Sequence, residues 1–215
     1  MSDNQVGTYK LVASPFHLDV RGKLSMGVLG KHLLNCADAY AAERGFDVVE
    51  KGGEHYTWVL SRLAIELEDL PSCHESFSIQ TWVENVYRLF ADRNFVICNK
   101  DEKPIGYVRS VWAMISMETR NPANLLDLHG DRITNSICEK ECPIAKPGRI
   151  KVSQQEAVSE YVAKYSDLDI NGHVNSVKYI EHILDLFPLE TYKEKALKRF
   201  EIAYVAESYY GDALS

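Results

Sequence analysis

The chain has 215 residues, of which 46% are hydrophobic and 26% are charged, and its formal net charge is −7. These values are typical of a globular protein and argue against nonspecific binding to nucleic acid, which requires a basic surface. The first residues lack the basic and apolar segments of a signal peptide, and no apolar run reaches the roughly 18 residues of a transmembrane helix. With five unpatterned cysteines, these features predict a location in a reducing cytoplasm.

The first part of the chain predicts one long helix followed by antiparallel strands. Residues 20–44 carry apolar side chains at helical spacing, with Ser25 as the candidate N-cap and Gly45 at the position of a terminating glycine. From Tyr56 onward, apolar side chains alternate with a period of two, which favours strands. The predicted strands lie at residues 58–67, 77–83, 95–97 and 107–117.

The second part of the chain repeats this order in a shorter form. A short strand at Tyr161 and Val162 precedes a loop, a helix is predicted over residues 174–187, and another strand begins at Phe200. Prolines and glycines interrupt the segment between the two parts. The chain is therefore predicted to divide into a first repeat at 1–120, a linker at 121–155 and a second repeat at 156–215.

The two repeats carry the same loop, but only the second copy holds groups that exchange protons near neutral pH. Residues 18–24 (LDVRGKL) align with residues 168–174 (LDINGHV) at an offset of 150 without a gap. An arginine and a lysine of the first copy stand where the second copy has Asn171 and His173. Because guanidinium and ammonium groups cannot act as bases near pH 7, whereas an imidazole can, we predict a chemical site in the second copy.

The second repeat stops earlier than the first in this alignment. After a deletion of 13 residues the register resumes at an offset of 137, which places Ser215 over Ser78. The first copy continues to about residue 119, so about three strands lack counterparts, and an open sheet edge is unfavourable. We therefore expect a truncated second copy that belongs to a longer chain, with completion of the sheet by another subunit as the weaker alternative.

The loop of the second repeat presents a carboxylate, a carboxamide and an imidazole at alternate positions. In an extended loop alternate side chains project to one side, so Asp169, Asn171 and His173 can converge. The predicted helix that follows offers free N–H groups and the positive end of its dipole. This composition suits attack on a carbonyl carbon, with donors for the oxygen and an imidazole to move a proton.

Residues 165–180 (YSDLDINGHVNSVKYI) resemble the signature of the acyl-ACP thioesterases of plant plastids and bacteria, D-x-N-x-H-V-N-N-x-x-Y-I. Ser176 departs from the second Asn of the last pair. Similar words occur in the first repeat at residues 58–62, 81–83, 110–114 and 119–120. The resemblance covers about residues 10–215.

The resemblance implies a fold, an activity and a partner. The fold is of the α+β class, with two tandem hot-dog folds, each a long helix wrapped by a curved antiparallel sheet. The activity is hydrolysis of the thioester between a fatty acyl chain and the phosphopantetheine arm of acyl carrier protein, which releases a free fatty acid in fatty acid biosynthesis. The first repeat would form the acyl pocket and the second would be catalytic.

The glutamate and cysteine that the family carries after its second helix fall on Glu207 and Ser208. Because the thiol is missing, a covalent thiolate route is excluded, and an unactivated serine is a poor substitute. We therefore predict attack by water, with Glu207 as the general base and Asn171 and His173 orienting the water or polarising the carbonyl. At the position of Glu207 the first repeat has Leu70, which has no such capacity.

The remaining roles in this mechanism are assigned to the loop and to the start of the helix. Asp169 is expected to fix the loop and the imidazole. The backbone N–H groups of Val174 and Asn175 are expected to hold the oxyanion.

Two further groups of side chains are candidates for contacts with the substrate. Trp112 and Met114 lie on a central strand that faces the acyl tunnel in that family. A dense basic cluster on this acidic chain is a candidate for docking the acidic carrier protein, with a solvated surface as the alternative reading. Its members are Lys193, Lys195, Lys198 and Arg199.

No metal or cofactor is expected. The segment 167–172 opens like a calcium-binding EF-hand loop, but Lys178 stands where calcium needs a carboxylate. Cys138 and Cys142 lack the second pair that a zinc site needs. The functional alternatives are an acyl-CoA thioesterase, a hot-dog hydratase acting on a β-hydroxyacyl thioester and a non-catalytic acyl-binding module. A homodimer is left open.

Overall fold

The computed structural model describes residues 5–149 and 159–214, which form a mixed α+β fold. In chain order its elements are β1 (Gly7–Val12), α1 (Met26–Glu43), β2 (Val49–Lys51), β3 (Glu54–Leu67), β4 (Ser76–Val86), β5 (Ala91–Cys98), β6 (Pro104–Ser116), α2 (Leu125–His129), α3 (Asp131–Thr134), β7 (Tyr161–Val162), α4 (Ser176–Asp185), α5 (Leu189–Glu194), β8 (Arg199–Ala203) and β9 (Ala213–Leu214).

The long helix α1 begins and ends where local signals predict. The side chain of Ser25 accepts a hydrogen bond from the amide of Val28, which satisfies one of the free N–H groups of the first turn. Gly45 follows the helix with a φ of +67°, a conformation that favours glycine. The predicted start at residue 20 is wrong, because residues 18–24 close a loop of their own through a bridge between Leu18 and Leu24.

A curved antiparallel sheet wraps around α1, which is the hot-dog arrangement predicted for the first repeat. Its strand order is β1-β4-β5-β6-β3-β2. The alternating segments at residues 58–60 and 63–67 belong to one strand, β3, which contains a β-bulge between Leu60 and Arg62. Side chains of α1 and of the concave face of the sheet form the main core, including Leu29, Leu33, Ile79, Phe95 and Ile97.

The second repeat is joined to the first through both a strand and a helix. Strand β8 pairs with the second half of β3, so the sheet of the first repeat continues into the second. Helix α4 packs on α1, where a Cβ added to Gly30 would lie 3.4 Å from side-chain atoms of Val177 and Ile180. Glycine therefore allows the two helices to approach closely. The remaining strands, β7 and β9, form a separate two-stranded sheet.

Residues 121–149 of the predicted linker fold back onto the sheet, and residues 150–155 lie outside the described part. After α2 and α3, Ile137 forms a bridge with Val83 of β4. Cys138 and Cys142 are then buried in a cluster with Trp82. None of the helices in the described part of the chain is long and apolar enough to cross a membrane. The boundaries of the two repeats stay a prediction.

Candidate active site

A single carboxylate holds the loop that carries the predicted chemistry. Asp169 Oδ1 accepts hydrogen bonds from the amides of Asn171 at 2.8 Å and His173 at 3.1 Å. Gly172 completes the turn with a φ of +80°. Asp19 makes the same two contacts with the equivalent amides of the first copy, at 2.9 and 3.2 Å. The backbone of the loop is therefore duplicated, and the two copies differ in the side chains that it presents.

The imidazole of His173 has other neighbours than the predicted one. The carboxylate of Asp169 is bonded to backbone amides, and no hydrogen bond joins it to the imidazole in the described structure. The ring instead packs edge-on against Tyr209, with 5.0 Å between the ring centroids. Asp169 thus fixes the loop, and the expected contact with the imidazole is not formed.

Glu207 reaches the loop through a short antiparallel pairing. His173 forms a β-bridge with Tyr209, and the amide of Val174 donates to the carbonyl of Ser208 at 2.8 Å. This pairing places Oε2 of Glu207 3.6 Å from Nε2 of His173. Two groups that are 34 residues apart in the sequence (173 and 207) therefore meet at one point.

The two amides predicted to hold an oxyanion are already used within the fold. The amide of Val174 donates to Ser208, and the amide of Asn175 donates to the carbonyl of Asp167 at 2.8 Å. These contacts close the loop onto its neighbours, so neither N–H group is free for a substrate oxygen. The prediction for Val174 and Asn175 is therefore wrong. The side chain of Asn175 instead caps α4 by accepting from the amide of Val177 at 2.9 Å.

Glu207 has a second partner that was not among the predicted site residues. Nη2 of Arg120 forms an ion pair with Oε1 of Glu207, across 87 residues of sequence. Arg120 follows β6 and has a φ of +59°, which is uncommon for a residue other than glycine. Its amide donates to the carbonyl of Ser116 at 3.0 Å, which holds this turn. The only signal in the sequence was the family-like pair at residues 119–120.

A cavity of about 470 Å³ joins this constellation to the space between α1 and the sheet. The polar side chains at the loop that line it are Asp169, Asn171, His173, Arg120 and Glu207. Its apolar wall comes from α1 and the sheet and includes Leu34, Ala37, Ala41, Trp58, Leu60, Val83, Ala91 and Trp112. The reactive groups and the apolar space therefore share one cavity.

The two predicted pocket residues of β6 have different positions. Trp112 lines the cavity, and its indole N–H donates to the hydroxyl of Ser110 at 2.8 Å. Met114 is fully buried with its sulfur 3.2 Å from Nε2 of His129. It is absent from the described residues that line the cavity, so the prediction for Met114 is wrong: packing against His129 places it behind the wall.

The predicted basic cluster is partly neutralised. Arg199 forms ion pairs with Glu66 and Glu201. Nζ of Lys198 donates to the carbonyl of Glu68 at 3.2 Å. Exposed side chains at the end of α5 and just after it complete the cluster, namely Lys193 and Lys195. Docking of a carrier protein at this surface stays a prediction that depends mainly on the lysines.

The fold and sequence match one family of proteins. Residues 9–130 match the model of the acyl-ACP thioesterase N-terminal domain, and residues 150–215 match that of the C-terminal domain. The crystal structure of an acyl-ACP thioesterase from Bacteroides thetaiotaomicron VPI-5482 is 61% identical, with a TM-score of 0.91 over 99% of this chain and 86% of that chain. The 12:0-ACP thioesterase from Umbellularia californica is 16% identical with a TM-score of 0.80, over 97% of this chain and 80% of that one, and shares the fold.

Curated relatives in plants are longer than this chain. The chloroplastic oleoyl-acyl carrier protein thioesterase 2 of Arabidopsis thaliana is 30% identical over 71% of this chain and 44% of its own length. The chloroplastic palmitoyl-acyl carrier protein thioesterase of Gossypium hirsutum is 26% identical over 80% of this chain and 44% of its own length. The chain thus spans less than half of these relatives. The matches to both domains confirm the family that residues 165–180 predicted, and the chain belongs to the acyl-ACP thioesterases.

Proposed function

We propose that this chain hydrolyses the thioester between a fatty acyl chain and acyl carrier protein, in the cytoplasm and as a step of fatty acid biosynthesis. The observation that carries the proposal is the cavity in which His173 and Glu207, 3.6 Å apart, adjoin an apolar wall. A fatty acyl chain needs such a wall to leave water, and its thioester needs the polar groups beside it. Membership of the family supports the carrier protein as the other half of the substrate.

The proposed reaction begins with a water molecule next to Glu207. The carboxylate takes a proton from the water as its oxygen bonds to the thioester carbonyl carbon. The tetrahedral intermediate then collapses, the carbon–sulfur bond breaks, and the proton passes to the leaving sulfur. His173 is close enough to Glu207 to orient the water and to relay this proton. The products are a free fatty acid and the thiol of the phosphopantetheine arm.

Two other groups replace the amides first expected to hold the oxyanion. The side chain of Asn171 lines the cavity and makes no hydrogen bond with another described residue, so its carboxamide is available to the thioester oxygen. Ser176, the first residue of α4, also lines the cavity, and its amide has no acceptor among the described residues. We assign these two donors to the developing oxyanion.

Arg120 is assigned the role of a positioning residue. Its contact with Oε1 of Glu207 favours the ionised carboxylate and leaves Oε2 on the side of His173. A general base must be ionised before it accepts a proton, so the pair extends activity towards lower pH. The cation also makes the carboxylate a weaker base, which is the cost of holding it in place.

Replacing Arg120 with methionine is expected to lower kcat about tenfold, because the carboxylate loses its orientation. The acidic limb of the pH profile of kcat/KM should also move to higher pH, because ionisation of Glu207 is no longer assisted by a cation. The pH–rate profile measures both effects, and Arg120→Lys should restore part of each. A uniform loss of activity with an unmoved limb would mean that Arg120 has only a structural role.

Reversing the charge of the exposed lysines Lys193 and Lys195 to glutamate is expected to raise KM for acyl-ACP severalfold and to spare small acyl thioesters. Carrier protein is acidic, so the loss should grow weaker as salt screens the contact. The matched control is the same reversal at Lys100 and Lys103, which are exposed at the β5–β6 turn. Equal effects on both substrates, or on both pairs of lysines, would remove the docking surface.

The proposed function is tested by turnover of a panel of acyl-ACP and acyl-CoA thioesters by the full-length protein. Release of thiol from acyl-ACP with a higher kcat/KM than from acyl-CoA is the expected result. A higher value for acyl-CoA would replace the carrier protein with coenzyme A. Formation of an enoyl product from a β-hydroxyacyl thioester without release of thiol would identify a hydratase. Binding of acyl chains without any turnover would leave only an acyl-binding module.

A further inference from the structure

A buried cation lines the same cavity and takes no part in the proposed reaction. Arg93 lies on β5 and is only 6% exposed, yet it is one of the residues that line the cavity. Nη1 donates to the carbonyl of Ala37 on α1 at 3.2 Å, and Cζ lies 4.7 Å from the ring centroid of Tyr40. These contacts attach Arg93 to α1 and do not involve the catalytic loop.

The charge of Arg93 is not matched by an ion pair. No carboxylate of the described residues lies within 4.0 Å of its guanidinium; Asp38, which also lines the cavity, has an exposed side chain and remains farther away. Burial lowers the pKa of Arg93 to about 10, which leaves it protonated at neutral pH. The cavity wall thus contains a buried positive charge whose contacts are a carbonyl and an aromatic ring.

The surroundings hold this guanidinium in place. The hydroxyl of Tyr40 donates to the carbonyl of Gln5 at 2.7 Å, which fixes the ring beside Arg93. The hydroxyl of Ser110 donates to the backbone carbonyl of Arg93 at 3.0 Å, which fixes the strand. A side chain attached at both ends cannot easily leave the cavity when a ligand enters. Its N–H groups are therefore a fixed part of the lining.

A plain hydrocarbon chain is a poor neighbour for such a group. A guanidinium carries several N–H donors and no acceptor, and only one donor of Arg93 has a partner among the described residues. Methylene groups packed against the others would displace water and offer no acceptor, which leaves buried donors unsatisfied. An oxygen atom on the chain would replace the displaced water.

We propose that Arg93 makes this cavity selective for acyl chains that carry an oxygen substituent, a hydroxyl, a keto group or a terminal carboxylate, over unsubstituted chains of equal length. The inference rests on the proposed function, since it places the acyl chain in the cavity that holds His173 and Glu207. The thioester lies beside those two residues, and Arg93 contacts α1 instead. The oxygen therefore belongs on the chain beyond the thioester carbonyl.

The test compares kcat/KM for acyl-ACP substrates of matched length that are unsubstituted, hydroxylated, oxidised to a ketone or terminated by a carboxylate. We expect the native protein to prefer at least one oxygenated series by about tenfold or more, since a site built to hydrogen-bond a polar group discriminates against its absence. A preference confined to the carboxylate series would identify charge recognition, and one shared with hydroxylated chains would identify hydrogen bonding. Equal rates, or a preference for plain chains, would overturn the inference.

The variant Arg93→Met is expected to lose this preference and to turn over plain chains at least as well as the native protein does. Arg44→Met is the matched control, because Cζ of Arg44 lies 3.7 Å from the same Tyr40 ring but the residue does not line the cavity. Retention of the preference in Arg93→Met would also overturn the inference. If this variant does not fold, the preference of the native protein and its reduction in Arg93→Lys decide the matter.

The outcome is separable from that of the proposed function. Hydrolysis of plain acyl-ACP without any preference would contradict the role of Arg93 and leave the thioesterase activity intact. If no thioester is hydrolysed, displacement of a fluorescent fatty acid by plain and oxygenated fatty acids still measures the selectivity of the cavity. Stronger displacement by the oxygenated acids would then support the inference even though the proposed activity had failed.

Discussion

Glu207→Gln is expected to lower kcat for acyl-ACP hydrolysis by about a hundredfold or more, because the substitution removes the general base and keeps the size of the side chain. The amide still reaches Arg120 and His173, so the cavity should retain its shape. A large loss in kcat with a small change in KM would identify a role in the chemical step. Steady-state kinetics with acyl-ACP and a small acyl thioester measure both parameters.

Ser208→Ala is the control for this prediction. Ser208 contributes its backbone carbonyl to the loop, its side chain is absent from the described residues that line the cavity, and alanine keeps the carbonyl. Most of the activity should therefore remain. An inactive Ser208→Ala protein together with an active Glu207→Gln protein would contradict attack by water and revive a covalent route through the hydroxyl.

The second large effect is expected when the catalytic loop is given the side chains of its silent copy. The double substitution Asn171→Arg and His173→Lys should abolish hydrolysis, by about a thousandfold or more, because it removes the oxyanion donor and the imidazole together. The introduced ammonium would also face Glu207 and bind the carboxylate that must accept a proton. In the first copy Lys23 forms such an ion pair, 2.8 Å from Asp69.

The same double variant should fold normally. In both copies one aspartate holds the loop through two backbone amides, and the side chains that differ are not part of these contacts. The free energy of unfolding is therefore expected to change by no more than about 1 kcal/mol, as for surface substitutions. Denaturant unfolding provides the measurement. Retained hydrolysis would contradict the assignment of the site to this loop, and a collapsed fold would contradict the equivalence of the two copies.

The sequence alone determined the features that depend on neighbouring residues. The cap at Ser25, the turn at Gly45 and the strands with alternating apolar side chains follow from local backbone preferences. The duplicated loop was also visible, because its geometry depends on one aspartate and one glycine within five residues of each other. The motif on that loop was sufficient to identify the family.

The tertiary structure decided which of these groups have partners. The ion pair of Arg120 with Glu207 joins residues from different repeats, and no local pattern encodes a contact over that separation. The amides of Val174 and Asn175 were expected to be free, but strands and loops that fold beside them supply acceptors. Arg93 is an ordinary charged residue in the sequence and becomes a buried cation when β5 packs against α1. Hydrogen-bond and charge partners at such distances are set by packing, because the chain brings them together only when the whole core forms.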